Sequence, residues 1–353
     1  MKALVALGPN NTKYIEVEKP KAEKDMVVVK VSKAGICATD FSIYTGECSF
    51  VKDGSIKYPV RFGHEWSGVV ESVGCDVKNL KPGDRVVSDS GITCGVCEAC
   101  KKGDYVNCPE IKSLGTVNTW DGCFAEYVAI PERHLFAFPD NISFEDAALI
   151  EPITIAYDAF TDVNMSKVST VAVLGTGAIG MASAWLAKYF GAKTVIMVGR
   201  SDEKLEKAKQ IGADIVINNK KTDAVKAIKE LTNGIGVDLT IEASGSDKLL
   251  IDSFFVTKRY GRVSLLSFYE KNIDNLPMDH IVLQCITVRG AAGSFGCPAK
   301  VIEIMSKNPI KLNPIITHRL PFNICLDAFE NQKNYNYGKI KIIIDFEEAN
   351  KNE

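Results

Sequence analysis

The stretch VAVLGTGAIG, residues 171–180, decides the fold of half the chain. An apolar run, VAVL, leads directly into Gly175-Thr176-Gly177-Ala178-Ile179-Gly180 and then into the helix-like IGMASAWLAKYF. In a G-x-G-x-x-G motif the first glycine allows the tight turn, the second lets a pyrophosphate approach, and the third lets helix pack on strand. Free N–H groups and the dipole at the helix start favour anions. The motif alone is weak, but a strand before it and a helix after it supply the context it needs. Gly175, Gly177, Ala178, Ile179 and Gly180 are therefore candidate dinucleotide-binding residues, set against the plainer reading of a structural turn.

Downstream, strand and helix patterns alternate: TVIMV at 194–198, EKLEKAKQIG, IVI at 215–217, TDAVKAIKELT, VDLTIEA at 237–243, DKLLIDSFFVT and RVSLL at 262–266. That alternation predicts a parallel sheet covered on both faces. The fold class is α/β here, with a doubly wound cofactor domain over 152–291. Upstream, short β-rich runs dominate: MVVVKVSKAG at 26–35, WSGVVESVG at 66–74, DRVVS at 84–88 and FAEYVAI at 124–130. Pro20, Pro59, Pro82, Pro109 and Pro131 punctuate them, the texture of a partly open β-barrel. After about 292 the texture is mixed, and the closing KIKIIIDF at 339–346 reads as a strand rejoining the first domain. The catalytic domain is thus expected over 1–151 and 292–353.

Size and composition narrow the function. The chain has 353 residues, enough for about two domains. Its formal net charge is −2 with both signs interspersed, so nothing points to a nucleic-acid partner. No stretch reaches the ~18 uninterrupted apolar residues of a membrane span, and the first apolar run is too short for a signal peptide. Eleven cysteines without an export signal point to metal binding in a reducing, cytoplasmic setting.

About 20 residues past the glycine motif, an NAD site usually carries Asp or Glu for the ribose 2′-hydroxyl. This chain reads VGRSDEKL, with Gly199 at that position, then Arg200 and Ser201. Losing the carboxylate removes repulsion of a 2′-phosphate, and a guanidinium offers a planar fork that suits phosphate. Ser201 can add a hydrogen bond, and Lys204 completes the candidate set. The plainer reading makes Ser201 a helix N-cap and Arg200 a solvated charge, with Asp202 and Glu203 keeping some negative field. The pattern favours NADP(H) over NAD(H).

Two metal sites are legible. Cys94, Cys97, Cys100 and Cys108 are spaced C-x2-C-x2-C-x7-C, with Gly91, Gly95 and Gly103 available for turns. Such spacing suits one tetrahedral zinc more than a disulfide knot or chance clustering. Four cysteine ligands leave no open position, so this zinc would hold a lobe at about 91–110 together and do no chemistry. A second set is scattered: Cys37, Thr39 and Asp40 in GICATD, His64 and Glu65 in GHEWSGVVESVG, and Glu151 in LIEP. A cysteine, a histidine and one or two carboxylates can bind zinc and leave room for water or substrate, as catalysis requires. Singly, Cys37 reads equally as a core residue, His64 as a satisfied polar group and Glu151 as a helix N-terminal charge.

GHEWSGVVESVG, the four-cysteine lobe and GTGAIG, in this order and spacing, resemble the zinc-dependent medium-chain dehydrogenases, the alcohol dehydrogenase family. The resemblance spans nearly the whole chain. IEP at 150–152 resembles the sorbitol (polyol) dehydrogenase branch, since simple alcohol dehydrogenases usually have cysteine at the place of Glu151. The resemblance implies a GroES-like catalytic domain and a Rossmann domain. It implies that Cys37 and His64 bind the catalytic zinc, that Glu65 binds or approaches it, and that Glu151 binds it directly or through water. Asp40 would orient the ligands and Thr39 would take the substrate proton. One departure is Ser42, where many relatives carry a histidine at the outer end of the proton relay. By analogy Ser267, Phe268 and Gly290 line the nicotinamide pocket, while Tyr44, Arg61 and Phe62 flank the catalytic motifs and face substrate, Arg61 either gripping a phosphate or pairing on the surface.

The implied reaction is hydride transfer between NADP(H) and a secondary alcohol: a polyol, a polyol phosphate or the matching ketose. An L-threonine 3-dehydrogenase-like or NAD-dependent alcohol dehydrogenase activity is the alternative. A catalytically silent zinc- and nucleotide-binding scaffold is the reading from another class. Family habit implies a homo-oligomer, a tetramer or dimer.

Overall fold

The structure, a computed structural model, describes residues 1–293, 295–308, 311–335 and 338–349. The chain forms two compact units, one of Met1–Glu151, Ser294–Lys307 and His318–Glu353, the other of Pro152–Gly293 and Asn308–Thr317. The sequence reading placed all of 292–353 in the first unit, whereas Ala292, Gly293 and Asn308–Thr317 cluster with the second. The reason is local bonding that leaves no periodic trace. The Ala292 N–H donates to Asp158 Oδ2 at 3.1 Å, and the 3-10 turn Asn313–Ile315 packs on the helix Asp202–Gln210.

The first unit is built on a sheet in the order Leu135–Ala137, Arg85–Ser88, Glu65–Val73, Met26–Ile36, Lys341–Asp345, Ile316–Pro321, with Tyr127–Pro131 also pairing Met26–Ile36. Valine-rich MVVVKVSKAGI suits a pleated surface buried on both faces, and nearly every residue of that strand is buried. The closing strand Lys341–Asp345 returns as the sequence led us to expect, pairing antiparallel with Ile342 opposite Ile36. Leu4, Val29, Val31, Ile43, Phe62, Phe124, Phe329 and Ile344 form the core, each burial contributing roughly 1.5–3 kcal/mol.

Two expectations fail in this core. Phe62 and Tyr44 do not face substrate. Phe62 is fully buried, edge-on to Phe124 at 5.2 Å and to Phe329 at 5.3 Å. Tyr44 packs on Phe329 at 5.7 Å. Their proximity to the catalytic motifs in sequence reflects strand alternation and helix packing, which turn them inward. Arg61 is neither exposed nor idle: its side chain is 9 % accessible and pairs with Asp121 at 3.2 Å.

This topology assembles the site. Strand Met26–Ile36 runs out at Gly35-Ile36 and hands the chain to Cys37. Glu65 begins the neighbouring strand, directly opposite Gly35. Lys341 begins the strand on the other side. Three adjacent strands therefore deliver Cys37, Glu65 and Lys341 to one end of the sheet.

The second unit is a six-stranded parallel sheet in the order Ile215–Asn218, Thr194–Gly199, Thr170–Leu174, Val237–Glu242, Thr257–Leu265, Thr287–Gly290. Helices Ala178–Tyr189, Asp202–Gln210, Ala224–Leu231 and Asp247–Val256 make the crossovers. Strand order reverses between Thr170–Leu174 and Val237–Glu242, the point where such sheets open a ligand crevice beyond their carboxyl ends. Among the described residues no helix is long and apolar enough to cross a membrane.

Candidate active site

Cys37 caps the N-terminus of helix Ala38–Thr45. Its N–H donates to Asp40 Oδ2 at 2.8 Å, which fixes the fully buried Asp40 carboxylate at the helix start. The other oxygen, Oδ1, faces His64 Nδ1 at 3.7 Å, and neither atom has a hydrogen-bond partner. That separation is an ion-pair contact, longer than a hydrogen bond. Cys37, His64 and Glu65 each place one ligand atom within 4.8 Å of the others. Thr39 Oγ1 lies 3.8 Å from Cys37 Sγ.

Glu65 is held from behind. Both its oxygens accept from Lys341 Nζ, at 2.6 Å and 2.5 Å, and the same ammonium donates to Ile36 O at 3.3 Å. Gly35 makes room for this: a Cβ there would stand 2.1 Å from Glu65 Oε2. Lys341 was absent from the sequence candidates. The signal available was a lysine opening a strand, KIIID, whose next three residues are all apolar.

Glu151 lies in the first turn of the helix Ile150–Asp158, outside the tight three-residue group. Ser90 hydrogen-bonds it, and it feels the charges of His64, Glu65 and Lys341. Burial pushes the Glu151 carboxyl up to about 7, assisted by Glu65 and opposed by His64 and Lys341. Burial likewise pushes Asp40 up to about 6, against the pull of His64 and the Cys37 N–H. For His64 burial acts downward, yet Asp40, Cys37 and Glu151 outweigh it and raise the imidazole well above its usual value. Four groups that ionise to anions crowd together, with Lys341 the permanent cation among them. Such a cluster favours retained protons or a bound metal cation.

The donor set fits zinc: one sulfur, one imidazole nitrogen and a carboxylate oxygen. With Nδ1 turned to Asp40, His64 has Nε2 left for a metal, and a carboxylate beside Nδ1–H favours that tautomer. The orphaned Asp40–His64 pair is the expected outer support of such a ligand.

In the second set, Cys94 Sγ lies 3.9 Å from Cys100 Sγ and 3.7 Å from Cys108 Sγ. Four sulfurs about 2.3 Å from a tetrahedral zinc stand about 3.8 Å apart. A disulfide needs about 2.05 Å, and every cysteine is free. Backbone N–H groups of Cys97, Cys100 and Cys94 point at Cys94, Cys97 and Cys108 sulfurs at 3.4, 3.4 and 3.5 Å. The N–H groups of Val96 and Cys97 hold the Cys94 thiol down at about 6. The four sulfurs fit a closed zinc site.

The glycine motif divides its labour. Gly175 has φ 120° and Gly180 has no room, since a Cβ there would stand 2.0 Å from Gly175 O. Gly177 caps helix Ala178–Tyr189 with open space where its Cβ would be, the approach a phosphate needs. At the end of the second strand, a Cβ on Gly199 would meet Thr176 Cγ2 at 2.4 Å. Ser201 caps helix Asp202–Gln210, accepting the Lys204 N–H at 3.5 Å, so its capping role is met. Asp202 accepts from Asn218 Nδ2 at 2.8 Å and Lys221 Nζ at 2.6 Å. Arg200 is exposed, and burial together with the Arg200 charge lowers the Lys204 ammonium. Phe268 is 64 % exposed and Gly290 ends the edge strand. Ser42 Oγ donates to Ala38 O at 3.3 Å, within its own helix.

Comparison with known proteins agrees with this geometry. Residues 23–140 match the alcohol dehydrogenase GroES-like domain and residues 178–307 the zinc-binding dehydrogenase domain. Sorbitol dehydrogenase of Bacillus subtilis (strain 168) is 32% identical, covering 98% of this chain and 97% of its own. L-threonine 3-dehydrogenase of the same organism is 33% identical over 97% of this chain and 98% of its own. D-arabitol-phosphate dehydrogenase of Enterococcus avium is 31% identical over 96% and 95%. Among solved structures, a zinc-binding dehydrogenase of Sinorhizobium meliloti 1021 bound to NADP superposes with TM-score 0.88 at 28% identity, covering 98% of both chains. An alcohol dehydrogenase of E. coli CFT073 complexed with NADH superposes with TM-score 0.87 at 31% identity, covering 98% of this chain and 99% of its own. The protein is an oxidoreductase of CH–OH donors, which displaces the scaffold reading. This chain belongs to the zinc-dependent medium-chain dehydrogenase family, the family of the alcohol dehydrogenases.

Proposed function

We propose that this enzyme oxidises a secondary hydroxyl of a polyol or polyol phosphate, and reduces the matching ketose, with NADP(H) preferred. The observation that carries the substrate class is the carboxylate-rich open site, where Glu65 and Glu151 stand with Cys37 and His64. Carboxylates and the water they hold suit a substrate with several hydroxyls. Relatives named for sorbitol and D-arabitol phosphate support the reading.

Cys37, His64 and the carboxylates of Glu65 and Glu151 would hold the catalytic zinc. When bound, it supplies Lewis-acid stabilisation of the deprotonated alcohol and polarises the ketone in reverse. Thr39 accepts the proton from the substrate hydroxyl, as its hydroxyl stands beside Cys37. Ser42, bonded back to Ala38, offers no imidazole, so water carries the proton onward. Asp40 orients His64 and excludes alternative tautomers. Gly175, Gly177, Ala178, Ile179 and Gly180 would hold the dinucleotide phosphates, and the nicotinamide would supply the hydride chemistry at the carbinol carbon.

The cofactor preference rests on charge. Asp202 is engaged by Asn218 and Lys221, Gly199 carries no carboxylate, and Arg200 and Lys204 present two neighbouring cations. A 2′-phosphate relieves their repulsion. Eleven free cysteines support a reducing, cytoplasmic setting, and family habit supports a homo-oligomer.

The L-threonine 3-dehydrogenase-like activity is the second reading, favoured by that relative's identity. A panel of polyols, polyol phosphates and L-threonine, assayed with both cofactors, separates them. Highest kcat/KM on a polyol or its phosphate with NADP supports the proposal. Highest kcat/KM on threonine overturns it.

A further inference from the structure

Thr93, the residue before the first zinc-lobe cysteine, is clamped by two consecutive side chains. Its N–H donates to His134 Nε2 at 3.1 Å, and its carbonyl accepts from the Arg133 guanidinium. Its hydroxyl lies 2.9 Å from His134 Nε2 and also hydrogen-bonds the Cys100 sulfur. Arg133 is fixed in turn by Asp25 at 2.5 Å. His134 is fully buried, Thr93 is 3 % exposed and Asp89 is 5 % exposed.

The hydrogens can be assigned. Nε2 accepts the Thr93 N–H, so in the neutral ring the proton sits on Nδ1. Nδ1–H then donates to Asp89 Oδ2, 3.3 Å away. Asp89 Oδ1 accepts the Gly296 N–H at 3.1 Å, so both carboxylate oxygens are used. The Thr93 hydroxyl, with its one proton, stands between Nε2 at 2.9 Å and the Cys100 sulfur. The ring also packs against Tyr105, edge-to-face at 5.4 Å, and Phe295, tilted at 5.9 Å between centroids. Tyr105 itself lies between the third and fourth cysteines.

We propose that His134 is the positioning residue of the four-cysteine metal site. Held by Asp89, it fixes Thr93 so that the backbone enters Cys94 at one angle and the hydroxyl supports the Cys100 sulfur. This is the arrangement by which outer partners orient metal ligands, and losing such a partner costs about 10–100-fold in metal affinity. It differs from the open site, where Asp40 faces a ligand directly; here the histidine touches no metal and acts through threonine.

The test follows zinc release from the holoenzyme to a chromogenic chelator, site by site. His134→Phe keeps the aromatic packing and removes both ring hydrogen bonds. It is expected to speed release from the four-cysteine site about 10–100-fold, leaving release from the open site unchanged. His134→Gln keeps an acceptor near Nε2 and is expected to recover most of the loss. With cobalt in the four-cysteine site, the thiolate charge-transfer band is expected to shift in His134→Phe and in Thr93→Val. Thr93→Val removes only the hydroxyl, and serves alone if His134→Phe does not fold. Wild-type release with an unshifted band in the variant that folds overturns the proposal, and so does equal acceleration at both sites.

Discussion

Lys341 Nζ lies 2.6 Å from Glu65 Oε1 and 2.5 Å from Oε2, with 4 % and 1 % of the two side chains exposed. Residues 276 positions apart meet because the closing strand returns beside Met26–Ile36. Burial acts to lower the Lys341 ammonium, but Glu65 and Cys37 outweigh it and raise it. The lysine therefore stays charged against the Glu65 carboxylate. Glu65 is oriented from behind rather than left free to swing.

Breaking that pair from one side leaves a buried carboxylate without its partner, a cost of about 3–5 kcal/mol. Lys341→Met is expected to lose stability of that order in denaturant unfolding and to lose turnover. Adding Glu65→Gln should return much of the stability but not the turnover. A single variant as stable as wild type would show that the pair does not hold the site.

Gly35 contributes by having no side chain. A Cβ would stand 2.1 Å from Glu65 Oε2 and 3.1 Å from Glu65 Cβ, so Gly35→Ala must push the carboxylate away from Lys341. Its expected signature is a drop of at least about tenfold in kcat with the four-cysteine zinc retained, since misplacing one charged hydrogen bond is worth about 1.5–3 kcal/mol. Unchanged kcat argues that Glu65 tolerates displacement.

Cofactor preference is better probed at Arg200 than at Gly199. A carboxylate at 199 first has to displace Thr176, whose Cγ2 would lie 2.4 Å from the new Cβ. Arg200→Gln removes the charge without that clash. Its kcat/KM with NADP should fall about 10–100-fold, and with NAD should change little. Equal losses with both cofactors would remove Arg200 from the 2′-phosphate site.

Acid stability should depend on Asp238, which anchors the start of the central parallel strand. Its Oδ2 accepts from the Ser169 and Thr170 N–H groups and the Thr170 hydroxyl, each at 2.8 Å, while Lys258 pairs with Oδ1. Burial alone raises this carboxyl, but Lys258 and the Thr170 and Ser169 bonds prevail and lower it. A depressed folded value means that the stabilisation is complete above the unfolded value of about 3.9 and is lost as pH falls through the folded one. Asp238→Asn should therefore be less stable near pH 7, with the difference from wild type shrinking on acidification below about 4. A gap that stays constant down to pH 2 contradicts this.

The sequence carried the architecture well because its signals are local. The glycine motif sits between a strand and a helix, the cysteines fall within one loop, and the βα alternation repeats. It also named the open site's Cys37, His64 and Glu65, which the structure brings together. What it missed depends on register between distant strands. Lys341 meets Glu65 only because Lys341–Asp345 inserts beside Met26–Ile36, and Gly35 matters only because it stands opposite Glu65. The same blindness put Tyr44 and Phe62 at the substrate, when packing turns them into the core. His134 had no motif around it at all; its meaning comes from Thr93, 41 positions away.

In the proposed division of labour the two metal sites have separate tasks, with the chemistry at Cys37 and His64. It is tested most directly by measuring zinc per chain together with turnover in wild type and in Cys37→Ser. Two zincs are expected in wild type and one in the variant, with turnover lost and a melting temperature close to wild type. Full turnover in Cys37→Ser, or loss of both zincs, would contradict it.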